Sequence, residues 1–412
     1  MDKYDCTWFD TEIDRSNTNA IKYNSSKLNL TNGVSPFPQD EVIPMWVADM
    51  DFRIPRQVSE ALHNAVDHGI FGYSAPSVNY FEALNHWFET NHDFHIERGD
   101  VFPTPGVVFS ISVAIRAFTK PGDSILIQQP VYYPFERTIK ANERNLVINE
   151  LVYDGARYTI DFEDLERKII DENVKLFLFC SPHNPVSRVW SREELTRLGD
   201  ICLKYHVLVL SDEIHADFVY RGSKHIVWAT LGSAYADTSI ICTAPSKTFN
   251  LAGIQSSNII ISNPELKRAY AAELDRTGYN EVSQMALVAC EAAYRHGQNW
   301  KDALIEYLEG NIQLIEERLA GMQANVSNTP AISLVKPEGT YLLWLDCAGL
   351  GLTDAELNQF FIEKVGIWVH KGITFGLGGS GFMRINIACP RSLIAEALDR
   401  IERGLMADKD NS

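Results

Sequence analysis

The chain of 412 residues is 45% hydrophobic and carries a formal net charge of −17, enough apolar content for a large core in two domains and an acidic balance that favours solubility. No basic stripe or run of like charges offers phosphates a seat, which argues against a nucleic-acid partner, and no stretch of about 18 apolar residues suggests a membrane span. The seven cysteines are scattered, never in C-x-x-C spacing, and the N-terminus "MDKYDCTWFD" has no apolar signal core, so reduced thiols and a cytoplasmic location are expected.

In chain order, the first clear element is "TPGVVFSISVAIRAF" (104–118), an apolar helix opened by Pro105 and Gly106. The backbone N–H groups of Gly106, Val107 and Val108 stand at its positive end, where an anion could sit, although an ordinary helix start has the same pattern. Continuous apolar runs follow at 123–130, 174–180, 207–213, 239–244 and 258–262. Each reads as a strand buried on both faces. Between them, "SREELTRLGDICLKYH" (191–206) is helical, and Ser191 with Glu194 forms a capping-box pattern. Strand, helix, strand in this order predicts an α/β fold with a mostly parallel sheet. Near residue 285 the pattern turns to long amphipathic helix, with Leu304, Leu308, Ile312, Ile315 and Leu319 at helical spacing. Strands at 339–346 and 381–388, with helical patterns at 353–365 and 391–405, complete a smaller α/β C-terminal domain. The expected division is an N-terminal segment (1–45) packing on the small domain, a large domain (46–287), and a small domain (288–412) that includes the long linking helix.

Ligands of open α/β sheets bind outside the carboxyl ends of the strands, and the polar residues of this chain gather there. "LFLFC" is followed by "SPHNP" with Asn184, "VLVL" by "SDEIH" with Asp212 and His215, and "SIICTA" by "PSK" with Ser246 and Lys247. A lysine in such apolar company has a depressed pKa and a free amine, as Schiff-base chemistry requires. An exposed loop lysine, or a structural ion pair with Asp212, would leave the same trace. A metal site from Asp212, Glu213, His215 and His206 is set aside, because His206 begins its strand, a full strand length from His215. Arg384 sits within the strand "FMRINIA", where a paired or surface arginine is the alternative to an anion-binding one. "GLGGSG" (376–381) matches G-x-G-x-x-G but precedes a strand and opens no helix; it reads as a flexible loop near the substrate rather than a dinucleotide site.

Taken together, "MWVADMDF", "SPHNP", "SDEIHADF", "APSKTFNLAG" and "MRINIACPRS" resemble the fold-type-I pyridoxal-phosphate enzymes of the class I/II aminotransferase group. The resemblance runs from about residue 35 to the C-terminus and is greatest to the cystathionine β-lyase (C–S lyase) branch. It implies that Lys247 forms a Schiff base with pyridoxal 5′-phosphate and that Asp212 pairs with the ring nitrogen. It also implies that Asn184 donates to the ring hydroxyl oxygen with His215 behind it, and that Tyr132 stacks on the ring. The helix start at Gly106–Val108 and Ser246 would hold the phosphate, with Tyr73 reaching it from a partner subunit, so a homodimer with shared active sites is implied. Arg384 would grip the carboxylate of an amino-acid substrate, with Tyr341 and Trp46 as pocket walls. Three positions depart from the pattern: Gln255 replaces an arginine, Ala244 a serine and Ser187 a glycine. The implied activity is cleavage of cystathionine or related cysteine thioethers. An aminotransferase using the same residues and a cofactor-binding regulator acting through a protein partner are the alternatives.

Overall fold

The computed structural model describes residues 4–24, 41–326 and 332–407. Residues 1–3 and 25–40 of the predicted N-terminal segment lie outside the described residues. Its described part packs on the helix Gln298–Val326: Phe9 meets Trp300 and Tyr307 edge to face or tilted, with ring centroids 5.8 and 5.3 Å apart. After it comes a short strand, β1 (Ile43–Pro44).

A sheet of eight strands follows: β2 (Val101–Thr104), β3 (Ser124–Gln129), β4 (Asn145–Tyr153), β5 (Tyr158–Ile160), β6 (Leu176–Cys180), β7 (Leu208–Asp212), β8 (Ser239–Thr243) and β9 (Ser257–Ile260). Their spatial order is β2-β9-β8-β7-β6-β3-β4-β5. β4, β3, β6, β7 and β8 run parallel, whereas β9, β2 and β5 join antiparallel at the two sides. All five residues of β6 are buried, as are all five of β8, because alternate residues feed two cores. Leu176, Leu178 and Leu210 share one buried cluster with Ile111 and Ile115 of the helix Val107–Phe118, while Phe177, Phe179 and Val209 share the other with Leu195 and Leu198 of the helix Arg192–Lys204. The latter helix begins with the predicted capping box: Ser191 Oγ accepts from the Glu194 N–H and the Glu194 carboxylate accepts from the Ser191 N–H.

The C-terminal part carries β10 (Ser333–Leu334), β11 (Leu342–Asp346), β12 (Ile367–Trp368), β13 (His370–Lys371) and β14 (Phe382–Asn386). Four of these form an antiparallel sheet in the order β10-β11-β14-β13, and β12 pairs in parallel with β1. The single change of texture near residue 285 is two helices, Gln284–His296 and Gln298–Val326. The predicted helix at 353–365 is α-helical only over Asp354–Gln359 and continues as a π-helical turn, Phe360–Val365, ended by Gly366 at φ 75°. Among the described residues no helix is long and apolar enough to cross a membrane.

Leu304, on the long helix, is fully buried in the larger core. Leu304→Ala is expected to cost about 2–5 kcal/mol, measured as a lower urea midpoint. A midpoint equal to that of the unsubstituted chain would mean that this helix does not depend on the core.

Candidate active site

β6, β7 and β8 are parallel and in register, with Cys180 opposite Asp212 and Asp212 opposite Cys242. Their carboxyl ends therefore reach the same level of the sheet, and the residues that follow them meet in one cavity of about 680 Å³. Asn184, Asp212, His215, Ser246 and Lys247 all line it. Gly106, Val107 and Val108 bring the amino end of their helix to the same cavity, Tyr132 comes from the turn after β3, and Arg384 from β14 of the C-terminal sheet. Trp46 lines the cavity as well.

The electrostatics of this cavity are set by burial. Lys247 Nζ donates to the carbonyl oxygen of Ala48 at 2.7 Å. Burial, then the nearby Arg384 charge, pushes its amine down from 10.5 to about 8. Asp212 accepts from the Ile214 N–H at 3.2 Å, and burial raises its carboxyl to about 7 despite the attraction of Lys247. Arg384 is 3% exposed; it donates to Asn184 Oδ1 at 3.0 Å and to the Trp46 carbonyl at 2.8 Å. Its Nε has no partner among the described residues, and burial lowers its pKa to about 10. His215 is held neutral by burial and by the charges of Lys247 and Arg384, with Nδ1 unpartnered among the described residues. A buried guanidinium, amine and carboxylate with neutral partners form a cavity that favours a ligand carrying both signs of charge.

Two predicted residues lie elsewhere. Tyr341 is buried behind His215, with ring centroids 5.9 Å apart, and its hydroxyl donates to Ala48 O at 3.0 Å. It supports the pocket rather than lining it. Tyr73 is 95% exposed and borders a separate groove with Phe102 and Tyr279. The loop 376–381 is anchored at one end: the Leu377 N–H donates to Gln129 Oε1 at 2.9 Å, and a Cβ at Gly376 would lie 2.2 Å from the Gln129 side chain, while Leu377, Gly378 and Ser380 are exposed.

The cavity includes residues that the sequence did not single out. Trp368 stacks on Trp46 at 4.4 Å, and His370 stands opposite Arg384 in the β13–β14 pairing, its Nδ1 3.4 Å from the guanidinium. Tyr133 packs against His370 with centroids 5.6 Å apart. β12 and β13 have two residues each, too few for any periodicity to reveal. The adjacent tyrosines of "VYYPF" were the one available signal for Tyr133.

The sequence pattern of the aminotransferase class I and II family matches residues 26–401, and the chain belongs to that family. It is 42% identical to cystathionine beta-lyase PatB of Bacillus subtilis (strain 168), over 96% of this chain and 99% of that protein. Its fold is similar to that of cystalysin from Treponema denticola, whose structure contains pyridoxal 5′-phosphate, with a TM-score of 0.90, 38% identity, and 97% and 98% of the two chains covered. It is also similar to the pyridoxal-phosphate-bound C–S lyase of Staphylococcus hominis, with a TM-score of 0.86, 32% identity, and 96% and 97% covered.

With bound small molecules stripped from the chain, Lys247 is expected to be acylated half-maximally near pH 8, while ordinary lysines respond above about pH 10. The depressed value also predicts a stability effect. Between about 8 and 10.5 the unfolded chain keeps a proton that the folded chain has released, so stability rises with pH across that window. Lys247→Met should flatten that rise in thermal-unfolding scans. A midpoint for Lys247 near 10.5 would contradict the burial argument.

Proposed function

We propose that the chain is a carbon–sulfur β-lyase that uses pyridoxal 5′-phosphate to convert L-cystathionine or related cysteine thioethers, with water, into a thiol, pyruvate and ammonia. The observation that carries the reading is the pairing of a buried, depressed lysine amine with a buried arginine of neutral surroundings in one cavity. The likeness to proteins named as C–S lyases favours elimination over transamination.

The residues fit the cofactor. Asp212, a buried carboxylate raised to about 7, suits a cationic ring nitrogen, which would return it to the ionised state. The N–H groups at Gly106–Val108 suit the phosphate, since a helix amino end carries unpaired donors and positive potential. Ser246 lies beside them on the cavity wall, and exposed Gln255 (φ 57°) adds no charge where the family often has arginine. Asn184, whose Oδ1 is engaged by Arg384, keeps its amide N–H groups for the ring hydroxyl oxygen and would donate to it. Tyr132 and His215, both on the cavity wall, would cover the ring face and back the site. When bound, the cofactor supplies an electron sink for the pair left at Cα.

Lys247 Nζ takes the Cα proton. Its depressed pKa keeps a useful fraction of the amine neutral near neutral pH. Arg384 binds the α-carboxylate, and in doing so gains the anion that the described residues do not supply. The stacked Trp46–Trp368 pair forms an apolar part of the cavity wall. Loss of the Cα proton and of the thiolate from Cβ, then hydrolysis of the three-carbon remainder, gives the three products. The chain works in the cytoplasm as a homodimer in which exposed Tyr73 completes the neighbour's phosphate site.

Cystathionine should give pyruvate, ammonia and free thiol in equal amounts with no keto acid present, whereas turnover that needs a keto acid and releases no thiol would identify an aminotransferase. Arg384→Ala should lower kcat/KM by about 2–5 kcal/mol, mainly through KM; unchanged constants would assign the carboxylate to another cation. Mixing Tyr73→Phe with Lys247→Ala should restore activity through hybrid dimers that have one intact site. No recovery after verified subunit exchange would contradict shared sites.

A further inference from the structure

Outside the cavity, the described residues hold a second buried polar cluster, and it connects two of the strand ends that build the site. The turn after β7 carries Asp212, Glu213, His215 and Asp217. It is tight and anchored: the Glu213 N–H donates to Cys242 O, the Ala216 N–H to Glu213 O and the Phe218 N–H to His215 O, each at 2.9 Å. The Glu213 carboxylate is buried and takes Ser211 Oγ, the Trp228 N–H and His225 Nε2, each at 2.9 Å. Five residues beyond Asp212, the Asp217 side chain is 7% exposed. Its Oδ1 meets His92 Nε2 at 2.8 Å and accepts from Trp87 Nε1 at 3.1 Å. Its Oδ2 accepts from Thr248 Oγ1 at 2.6 Å, and Thr248 is 1% exposed and adjoins Lys247 in the chain.

We propose that Asp217 is a positioning residue: through Thr248 it bolts the turn that carries Lys247 to the turn that carries Asp212, and so fixes the amine relative to the carboxylate. Burial raises the Asp217 carboxyl, but the hydrogen bonds and charge around it, from His92 and Thr248 foremost, outweigh burial and hold it below the usual range. It is therefore an ionised acceptor, the stronger kind. Three residues beyond Lys247, Asn250 Oδ1 accepts from the Met50 N–H at 3.0 Å and its Nδ2 donates to Met50 O and Phe52 O at 3.0 and 2.9 Å. Phe249 between them packs on Trp87, with centroids 5.2 Å apart. The lysine turn is thus anchored at Thr248 and again at Asn250, and Thr248–Asp217 is the anchor that reaches the other reacting strand end. Neither residue lines the cavity, so the effect passes through position alone.

The inference rests on the proposed role of Lys247, and the test separates the two. Wild type, Thr248→Val and Thr248→Ser are compared as holoenzymes by the pH midpoint of the visible absorption of bound cofactor and by steady-state thiol release. The valine keeps size and removes the donor. It should lower kcat at least about 10-fold, with KM changed less than about 2-fold, and shift the absorption midpoint. The serine keeps the donor and should restore both. If the valine variant does not fold, Thr248→Ala takes its place with the same readings. Wild-type kcat and midpoint in the donor-less variant would overturn the proposal, as would a serine variant no better than the valine, which would assign Thr248 to packing. Absence of both the visible band and thiol release in wild type would instead overturn the proposed function, and this inference with it.

Discussion

Lys247, Arg384 and Asp212 are all buried in one cavity, and their hydrogen-bond partners there are neutral: Ala48 O for the lysine, Asn184 Oδ1 and Trp46 O for the arginine, the Ile214 N–H for the aspartate. Holding ionisable groups out of water with only neutral hydrogen-bond partners is costly, and the attraction between Lys247 and Asp212 offsets only part of it, as their shifted titrations show. The fold bears that cost because each group is anchored to a different rigid part: Asp212 ends β7, Lys247 follows β8, and Arg384 lies within β14. A ligand with a cationic nitrogen, a carbonyl and a carboxylate relieves the three groups together. Cofactor and substrate binding is thus favoured by the same burial that destabilises the unliganded site.

The segment Trp46–Phe52 is what joins the two sheets around this site. Ala48 O accepts from both Lys247 and Tyr341, Trp46 O from Arg384, and Val47 O and Asp49 O from Asn386 at 2.5 and 2.6 Å. Asp51 in turn binds Arg15 at 2.6 Å and the buried Lys22 at 2.5 Å, which ties the described N-terminal residues to the same stretch. The backbone carbonyls of one irregular segment thereby set the distance between the large sheet and the C-terminal one.

The strand ends were legible in the sequence because their chemistry is local. A continuous apolar run followed at once by an amide, a carboxylate or an amine marks a buried strand that stops at a site, and Asn184, Asp212 and Lys247 follow that rule. The helix start at Gly106 and the arginine in "FMRINIA" were visible for similar reasons. His370 and Trp368 were not, since strands of two residues have no period and their place depends on pairing with Arg384 and on stacking against Trp46. The resemblance implies a wall position for Tyr341, but its side chain packs behind His215, a distinction that only three-dimensional packing makes. Thr248 and Asp217 lay in motifs already noted, yet their contact joins residues 31 apart in sequence.

Ser187, where the resemblance leads to an expectation of glycine, has a local explanation. It adopts φ 57°, and its hydroxyl donates to Leu342 O at 2.7 Å, so the side chain spans from the "NPVS" turn to β11. The strain of a non-glycine residue in that region is offset by a bond to the C-terminal sheet, and Asn184 is left in place. Everything chemical in the account passes through one atom, Lys247 Nζ. The most direct measurement is borohydride reduction of the purified protein followed by mass-spectrometric peptide mapping. The account predicts a reduced pyridoxal-phosphate adduct on the peptide that contains Lys247; an adduct on a different lysine, or none from cells supplied with the cofactor, would contradict it.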